Sequence, residues 1–275
     1  TTHETLAVDL DELDITEQSD VERVVRNFSP NIVVNCAAYT QVDACETEKE
    51  LAWNVNVNGP KFLAVSAKRF GAKVIHISTD YVFDGTKEVP QPYRETDETG
   101  AISYYGRTKL EGEAAVKETM ENYVIVRTAW LYGMNGPNIL KTCLRIAMGN
   151  PDRAIKVVND QFGSPTWSYR LALQIAKIIE VNGQGVYHAT SEGYCTWYDL
   201  AQYYLQKMDV PHRVIPCTTE EYPTTAIRPK NSILENRRLN EQGINVMASW
   251  EEDLNHFITQ FGQALVTDIK QQVKS

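Results

Sequence analysis

Two residues with complementary acid–base chemistry, Tyr105 and Lys109, lie four positions apart near the middle of the chain. On a helix this spacing puts both side chains on one face. A tyrosine has a pKa of about 10, and a cation one turn away lowers it by stabilising the phenolate. The pair therefore indicates a proton donor, and the lysine could also reach the ribose hydroxyls of a nucleotide. The alternative is a solvent-exposed helix face that carries this spacing by chance.

A hydroxyl is predicted close to this pair, at the end of a buried strand. Thr79 follows the apolar run 73–78, and ligands of open α/β sheets bind beyond the carboxyl ends of the strands. Its hydroxyl could donate to a substrate carbonyl, although a strand exit with turn-forming side chains is the alternative. Ala37 and Ala38 follow the preceding strand, where small side chains either admit a flat ring or allow tight helix–sheet packing.

The elements that must position these residues are predicted from alternating apolar runs and amphipathic segments. Strands are predicted at residues 5–10, 31–36, 73–78, 123–127 and 185–190. Helices are predicted at residues 19–28, 56–70, 105–120, 169–180, 197–208 and 250–261. The strand runs are nearly continuous in Val and Ile, as in parallel strands buried on both faces. The pattern predicts an α/β fold with a doubly wound, Rossmann-like parallel sheet and a smaller mixed α/β substrate lobe.

A change of pattern near residue 135 divides the chain into two predicted domains. Residues 1–135 form the dinucleotide-binding domain, to which later segments near 155–165 and 185–200 return. Residues 136–275 form mainly the substrate-binding lobe, which we expect to cover the carboxyl-end face of the sheet and create a cleft.

The beginning of the chain lacks the glycine-rich turn that holds a pyrophosphate on backbone N–H groups in dinucleotide-binding folds. The first glycine is Gly59. Asp9 nevertheless ends a predicted strand, the position of the acidic residue near an adenine ribose in the second βα unit. We therefore expect a first βα unit of roughly 25 residues to be missing from this sequence. A fold that never had the loop is the alternative.

Composition excludes several classes of protein. The chain has 275 residues and a net charge of −9, from 27 Lys and Arg against 36 Asp and Glu, which disfavours nucleic-acid binding. Its apolar runs are shorter than the ~20 residues that span a bilayer. The five cysteines form no CxxC pair, which favours a cytoplasmic location and argues against structural zinc. Nucleophile-elbow, P-loop and HExxH motifs are absent from the sequence.

Segments spread over the whole chain resemble one family. They are LDIT at 13–16, NCAAYTQVD at 35–43, Asn56 with Gly59-Pro60, STDYVFDG at 78–85, YGRTKLEG at 105–112, VRTAWLYG at 126–133, NDQFGSPT at 159–166, Tyr187-His188 and Arg228-Pro229. Their order and spacing are similar to those of the extended short-chain dehydrogenase/reductase superfamily, and within it to the dTDP-4-dehydrorhamnose reductase family. The resemblance implies reduction of the C4 keto group of dTDP-4-dehydro-L-rhamnose to dTDP-L-rhamnose by NADPH or NADH.

The resemblance also assigns roles to individual residues. Tyr105 would give the proton to the C4 oxygen, Lys109 would lower the Tyr105 pKa and bind the nicotinamide ribose, and Thr79 would hold the C4 oxygen. The residues expected to contact the cofactor are Asp14 and Ile15 at the adenine, Ala37, Ala38, Thr40, Asn56, Tyr105 and Lys109. Those expected to contact the nucleotide sugar are Thr79, Tyr81, Trp130, Gln161 and Arg228, with Asn138 and Lys141 as further candidates. Core packing is the alternative role for Trp130.

Some properties stay open at this point. The Asp9 carboxylate would repel a 2′-phosphate, yet some relatives with such a residue accept both NADPH and NADH. A homodimer is compatible with the resemblance, and no metal site is expected. A related nucleotide-sugar dehydratase is disfavoured because Tyr81 rather than Glu follows Asp80. A different nucleotide-sugar reductase stays possible, as does a non-catalytic binding partner resembling the regulatory subunit of methionine adenosyltransferase.

Overall fold

The computed structural model describes residues 3–274, with side chains described up to residue 271. The strands in chain order are β1 Ile32–Asn35, β2 Lys73–Thr79, β3 Tyr123–Thr128, β4 Leu131–Tyr132, β5 Ala154–Val158, β6 Phe162–Gly163, β7 Thr166–Trp167, β8 Gly185–His188, β9 Cys195–Thr196 and β10 Arg213–Cys217. The helices are α1 Gln18–Phe28, α2 Lys49–Trp53, α3 Gly59–Arg69, α4 Tyr104–Thr119, α5 Ile139–Gly149, α6 Ser168–Glu180, α7 Trp197–Lys207, α8 Arg237–Glu241 and α9 Trp250–Lys274. No helix in this described range has both the length and the apolar composition needed to cross a bilayer.

The main sheet consists of parallel strands in the order β1–β2–β3–β8. Its central strands are buried on both faces, which explains their nearly continuous Val and Ile sequences. Parallel pairing brings the carboxyl ends of the strands to one edge, where Thr79 of β2 is in register with Thr128 of β3. The predicted α/β architecture with a parallel sheet is confirmed.

Helices cover both faces of this sheet. On one face α1, α3 and α4 pack together, and Ala64, Val74 and Val116 are fully buried beneath them. On the other face α6 and α8 cover Ile75, and Ile178 is among the buried side chains there. The sheet is therefore doubly wound, and α4 is one of the helices that pack directly on β2.

A second apolar core holds most of the remaining chain together. Helices α5, α7 and α9 enclose it, with Leu140, Leu200 and Phe257 at its centre. The small parallel sheet of β5 and β10 packs against α7. Tyr132 of β4, which follows β3 closely in the chain, belongs to this core.

One later segment that was predicted to return to the dinucleotide-binding unit contains a strand outside the main sheet, and the domain assignment itself stays a prediction. The segment near 155–165 includes β5, whose Ile155 and Val157 belong to the second core. Its backbone pairs with β10 rather than with the main sheet. The partner strand lies far away in sequence, so the apolar pattern of β5 alone could not reveal it. Strand β8 does join the main sheet.

The strand predicted at residues 5–10 does not form. Leu6 and Leu10 are 50% and 69% exposed, and the Asp9 carbonyl closes a turn by accepting the Leu13 N–H at 2.9 Å. Among the described residues, β1 pairs only with β2, so this segment has no neighbouring strand to bond its backbone groups. Asp9 therefore does not end a strand.

The helix that carries the predicted proton donor begins at a side-chain cap. Ser103 Oγ accepts the Gly106 N–H at 3.1 Å and so bonds one of the free donors at the start of α4. The helix then runs from Tyr104 to Thr119, close to the predicted bounds. Its buried face includes both Tyr105 and Lys109.

Candidate active site

A close approach between α4 and the turn after β2 brings the predicted catalytic side chains together. This turn is the 3₁₀ segment Asp80–Val82, and a Cβ on Gly106 of α4 would lie only 2.2 Å from the Tyr81 carbonyl oxygen. Glycine at this position allows the contact because it has no Cβ. The Tyr105 ring meets the Tyr81 ring edge to face, with centroids 5.5 Å apart. The Tyr105 hydroxyl consequently faces the Thr79 hydroxyl.

Burial controls the acidity of the Tyr105 phenol. It raises the pKa, the facing Thr79 hydroxyl lowers it, and the Asp80 carboxylate raises it. The Lys109 ammonium instead donates to the Ile77 carbonyl at 2.7 Å. The expectation that Lys109 lowers the pKa of Tyr105 is therefore not met in this structure, because desolvation dominates. The phenol stays protonated at neutral pH, which is the form that a proton donor requires.

Lys109 is itself removed from solvent. Its side chain is 2% exposed, and burial lowers its pKa to about 8. Glu113, one turn further along α4, and the Cys36 thiol oppose this effect. The contribution of Cys36 means that the ammonium lies near the loop after β1. Lys109 is mostly protonated at neutral pH. It lies between the first turn of α4, which carries Tyr105, and the loop after β1.

The Thr79 hydroxyl is bonded within its own turn. Oγ1 lies 2.8 Å from Asp80 Oδ1 and accepts the Tyr81 N–H at 3.2 Å. Asp80 is 3% exposed, and burial raises its pKa to about 6, although bonds from the Ser232 and Thr79 hydroxyls lower it. The protonation of Asp80 therefore changes near neutral pH, directly beside the predicted catalytic hydroxyl.

The buried carboxylate of Glu113 links α4, β2 and β3 through hydrogen bonds. It was not predicted from the sequence. Glu113 of α4 accepts two bonds from Arg127 of β3, both at 2.8 Å, and one from Ser78 of β2 at 2.7 Å. Burial raises the pKa of Glu113, but Arg127, Lys117 and Ser78 together lower it to about 2. Two signals could have revealed this group: Glu113 follows Lys109 by one helical turn, and Arg127 interrupts an apolar strand.

The loop after β1 has the properties expected of a surface for the nicotinamide end of a dinucleotide. Cys36, Ala37 and Thr40 are exposed, and Asn35 Oδ1 holds the loop by accepting the Ala37 N–H at 3.1 Å. Its short side chains leave room for a flat ring, and the nearby Lys109 ammonium is a donor for ribose hydroxyls. This donor set and loop fit NAD(P)H.

The residues expected at the adenine lie around the start of α1. Asp14 Oδ1 accepts the Thr16 N–H at 2.9 Å and the Thr16 hydroxyl at 2.7 Å, which fixes a local turn. Ile15 packs on α3, because a Cβ on Gly59 would lie 2.5 Å from Ile15 Cδ1. Asp14, Ile15 and Ala38 are half-buried, so each retains surface that a ligand could contact.

Asn56, another expected cofactor contact, forms hydrogen bonds inside the protein. It is fully buried in the π-helical segment Asn54–Asn58, which joins α2 to α3. Its Oδ1 accepts the Tyr39 N–H at 2.9 Å, and its Nδ2 donates to the Tyr39 carbonyl and to Thr108 Oγ1 at 3.1 and 3.0 Å. The amide therefore braces the loop after β1 against α4, and its direct contact with the cofactor stays a prediction.

Trp130, just after β3, adopts an unusual backbone conformation. Its φ of 49° lies in the left-handed region, which is rare for a large aromatic residue. The indole stacks on Trp197, with centroids 3.4 Å apart, and a Cβ on Gly163 would lie 2.4 Å from its Cε2. Trp130 is half-buried, so it combines packing with remaining open surface. Trp197 was not predicted, since only the fold brings it to Trp130.

Of the predicted nucleotide-sugar residues in the second unit, Arg228 approaches the catalytic turn. It lowers the pKa of Tyr81, which burial and Asp80 raise. Arg228 Nη2 donates to Asp43 Oδ2 at 2.8 Å across a separation of 185 residues. Gln161 bonds instead to Thr219 Oγ1 at 3.1 Å, on the irregular segment after β10.

Fold and site together define a class of protein. A doubly wound parallel sheet that brings a strand-end hydroxyl to a Tyr-x-x-x-Lys helix is the arrangement of the short-chain dehydrogenase/reductase superfamily. Comparison with known families narrows this class. Residues 1–263 match the family described as RmlD substrate binding domain, and the chain belongs to that family.

Several relatives cover nearly the whole chain. A dTDP-4-dehydrorhamnose reductase from Aggregatibacter actinomycetemcomitans is 40% identical and covers 92% of this chain and 89% of its own. A dTDP-4-keto-6-deoxy-D-glucose reductase from Streptomyces niveus is 37% identical, with coverage of 89% and 84%. The structure of a dTDP-4-dehydrorhamnose reductase from Bacillus anthracis in complex with NADP is 41% identical, with a TM-score of 0.88 and coverage of 92% and 89%.

Proposed function

We propose that this protein reduces the C4 keto group of dTDP-4-dehydro-L-rhamnose to give dTDP-L-rhamnose, with NADPH or NADH as reductant. The observation that carries this proposal is the buried Tyr105 phenol. It faces the Thr79 hydroxyl, and it lies on the same helix as Lys109. Family membership and relatives named dTDP-4-dehydrorhamnose reductase support the choice of substrate.

In the proposed reaction the chemistry that NAD(P)H would supply when bound is a hydride for C4 of the ketosugar. Tyr105 gives its phenolic proton to the C4 oxygen, so that the carbonyl becomes an alcohol and Tyr105 becomes a phenolate. Because burial raises the pKa of Tyr105, the phenol holds its proton until negative charge develops on that oxygen. The Thr79 hydroxyl positions the same oxygen, and a preorganised donor stabilises the developing charge. Lys109 is the buried cation on the same helix face.

The remaining predicted contacts complete this proposal. Ala37, Ala38 and Thr40 contact the cofactor near the nicotinamide, whereas Asp14 and Ile15 contact it near the adenine. Trp130 contacts the sugar, an assignment supported by its strained backbone at the edge of the cleft.

The diphosphate side of the substrate is assigned to the second unit. The Arg228 guanidinium, which acts on Tyr81, suits paired charged hydrogen bonds to a diphosphate. Tyr81 and Gln161 are the other proposed substrate contacts.

A second candidate is a reductase for a different dTDP-4-ketosugar. The relative from Streptomyces niveus, which is named a dTDP-4-keto-6-deoxy-D-glucose reductase, supports this second candidate. The two candidates share Tyr105, Lys109 and Thr79 and differ in the ring stereochemistry that the sugar pocket accepts. Turnover with each ketosugar distinguishes them.

Location and assembly are further parts of the proposal. The cysteines are free within the described chain, which supports a reducing compartment such as the cytoplasm. The homodimer suggested by the family resemblance and the division at residue 135 also stay proposals.

The proposed function predicts a specific effect of Tyr105→Phe. This change removes the proton but keeps the ring, so we expect turnover to fall by about 10²-fold or more while cofactor affinity changes little. The measurements are NAD(P)H oxidation with dTDP-4-dehydro-L-rhamnose and cofactor binding by fluorescence titration, both with the full-length protein.

Tyr104→Phe is the matched control, because it removes the neighbouring hydroxyl from the same helical turn. We expect it to retain turnover. Failure of the wild type to oxidise either cofactor with the ketosugar would refute the reductase and favour a binding partner. A parallel loss of cofactor affinity in Tyr105→Phe would make Tyr105 a structural residue.

A further inference from the structure

The Thr79 hydroxyl has more neighbours than its single proton can serve. Its oxygen accepts the Tyr81 N–H, faces the Tyr105 hydroxyl and lies 2.8 Å from Asp80 Oδ1. A hydroxyl has one proton and two lone pairs, whereas an ionised carboxylate can only accept. If Asp80 is ionised, the Thr79 proton must point at Asp80, and Thr79 cannot donate to the oxygen that gains charge in the substrate.

The surroundings of Asp80 shift its equilibrium towards the protonated form. Its Oδ2 accepts no well-formed hydrogen bond from any residue in the range 3–271. The groups that face the carboxyl are Thr79 and Tyr81 of its own turn, Tyr105 of α4 and Ser232 in the segment after β10. All of these side chains bear hydroxyls and are uncharged at neutral pH. The Thr79 and Ser232 hydroxyls and the backbone N–H groups of Asp80 and Tyr81 offset only part of the cost of burying the charge, so the pKa of Asp80 stays raised.

A second buried carboxyl provides the contrast. Glu113 is as deeply buried as Asp80, but Arg127 bonds to both of its oxygens. Arg228 lowers the pKa of Tyr81, the residue after Asp80. Its guanidinium is paired with Asp43 and not with Asp80. Burial with a cation keeps Glu113 ionised, whereas burial without one favours protonation of Asp80.

We propose that Asp80 is a positioning residue that controls the direction of the Thr79 hydroxyl. In its acid form, Asp80 donates to Thr79 Oγ1, and this frees the Thr79 proton for the C4 oxygen of the substrate. When Asp80 loses its proton, the same 2.8 Å contact reverses direction, because Thr79 now donates to Asp80 Oδ1 and presents only lone pairs to the developing oxyanion, which they repel. Asp80 neither gains nor loses a proton during turnover. This inference rests on the proposed function.

The expected consequence is a loss of activity at high pH that depends on Asp80. Burial raises the pKa of Asp80 to about 6 in the free protein. Above that value kcat/KM should fall by about tenfold per pH unit, since it follows the ionisation of the free enzyme. In Asp80→Asn the amide is a permanent donor to Thr79, so this fall should disappear. In Asp80→Ala no group directs the hydroxyl, and we expect a loss of about 10²-fold at every pH.

A titration that needs neither substrate nor cofactor provides an independent test. In the full-length protein labelled with ¹³C at aspartate carboxyls, the resonance that Asp80→Asn removes should titrate above the ordinary aspartate range. Asp84 is the matched control, because hydrogen bonds from Tyr93 and Thr86 lower its pKa on the same segment. Asp84→Asn should leave the pH profile of the reaction unchanged.

The outcomes separate this proposal from the proposed function. A raised midpoint together with an active, pH-insensitive Asp80→Asn supports the role of Asp80. A midpoint in or below the ordinary range overturns it, and so does an Asp80→Asn that is as inactive as Asp80→Ala. If Asp80→Asn fails to fold, absence of any raised aspartate resonance in the wild type overturns the proposal. Lack of turnover in the wild type refutes the reductase itself, and the assigned role falls with it.

Discussion

At the scale of single residues, a buried ion pair joins Glu113 to Arg127 close to the site. Both side chains are nearly excluded from solvent, at 0% and 3% exposure. Each charge depends on the other, because an unpaired ion in such surroundings costs several kcal/mol. The pair also bonds Ser78, the residue before Thr79. The same carboxylate thus influences both the stability of the protein and the position of its proposed catalytic hydroxyl.

Glu113→Gln should therefore destabilise the fold strongly. It leaves the Arg127 charge without its counterion, for which we expect a loss of about 3–5 kcal/mol in the free energy of unfolding. Urea denaturation measures this loss, and Glu118→Gln, an exposed position on the same helix, is the control. Similar stabilities for the two variants would contradict the importance of the buried pair.

The same pair predicts how stability depends on acid. The pKa of Glu113 is lowered from 4.5 to about 2 on folding, so the unfolded chain binds this proton more readily. The stabilisation is complete above the unfolded-state pKa and is lost as pH falls from there through the folded-state value. The difference in stability between wild type and Glu113→Gln should therefore shrink over this range. A difference that stays constant would mean that Glu113 is not ionised in the folded protein.

At the scale of elements, the contact between α4 and the turn after β2 sets the geometry of the site. Gly106 lies one residue after Tyr105 and contacts the carbonyl of Tyr81. Its neighbours in the helix, Tyr105 and Arg107, have side chains. Gly106 is therefore the position at which α4 can approach the turn. The separation of Tyr105 from Thr79 consequently depends on a residue that has no functional group.

Gly106→Ala tests this dependence. Alanine favours a helix by about 1 kcal/mol over glycine, but its Cβ would lie 2.2 Å from a backbone oxygen that cannot rotate away. We expect a net destabilisation of about 1–3 kcal/mol from overpacking, together with reduced kcat. Denaturation and turnover measure the two effects.

Gly149→Ala is the control for this change. Gly149 ends α5 and has open space where a Cβ would be. Alanine there should be neutral or slightly stabilising. If Gly106→Ala behaved in the same way, α4 would not be held in position by this contact.

At the scale of the whole molecule, the bond between Asp43 and Arg228 connects two segments that lie 185 residues apart in the chain. Asp43 also accepts the Ala226 N–H at 2.9 Å, so two bonds hold the segment that carries Arg228. The Asp43 side chain is 46% exposed, and solvent screening limits the stability that such a pair can contribute. Its proposed value is instead in binding, because it keeps the guanidinium near Tyr81.

Arg228→Met should therefore affect substrate binding more than stability. Loss of a charged hydrogen bond to the diphosphate should cost about 1.5–3 kcal/mol in binding, which appears as a raised KM with kcat little changed. The unfolding free energy should change by less than about 1 kcal/mol. Arg94→Met is the control, because Arg94 forms a comparable ion pair with Glu235. An unchanged KM in Arg228→Met would remove Arg228 from the substrate site.

Much of the architecture could be predicted from local sequence patterns. The Val and Ile runs predicted β1, β2, β3 and β8, and helical spacing predicted α1, α4 and α7 within a few residues. These patterns are local because each strand or helix must bury a defined face. The prediction failed where formation depends on a distant partner, as for residues 5–10 and for β5, which pairs with β10.

The sequence by itself determined the parallel α/β fold, the family, and the choice of Tyr105, Lys109 and Thr79 as candidate catalytic residues. Only the tertiary structure decided which charges these groups meet. It directs the Lys109 ammonium to the Ile77 carbonyl and buries Asp80 without a cation. The physical reason is that residue type and spacing are properties of a single segment. The pKa of a buried group instead depends on desolvation and on partners from several segments, which come together only when the chain folds.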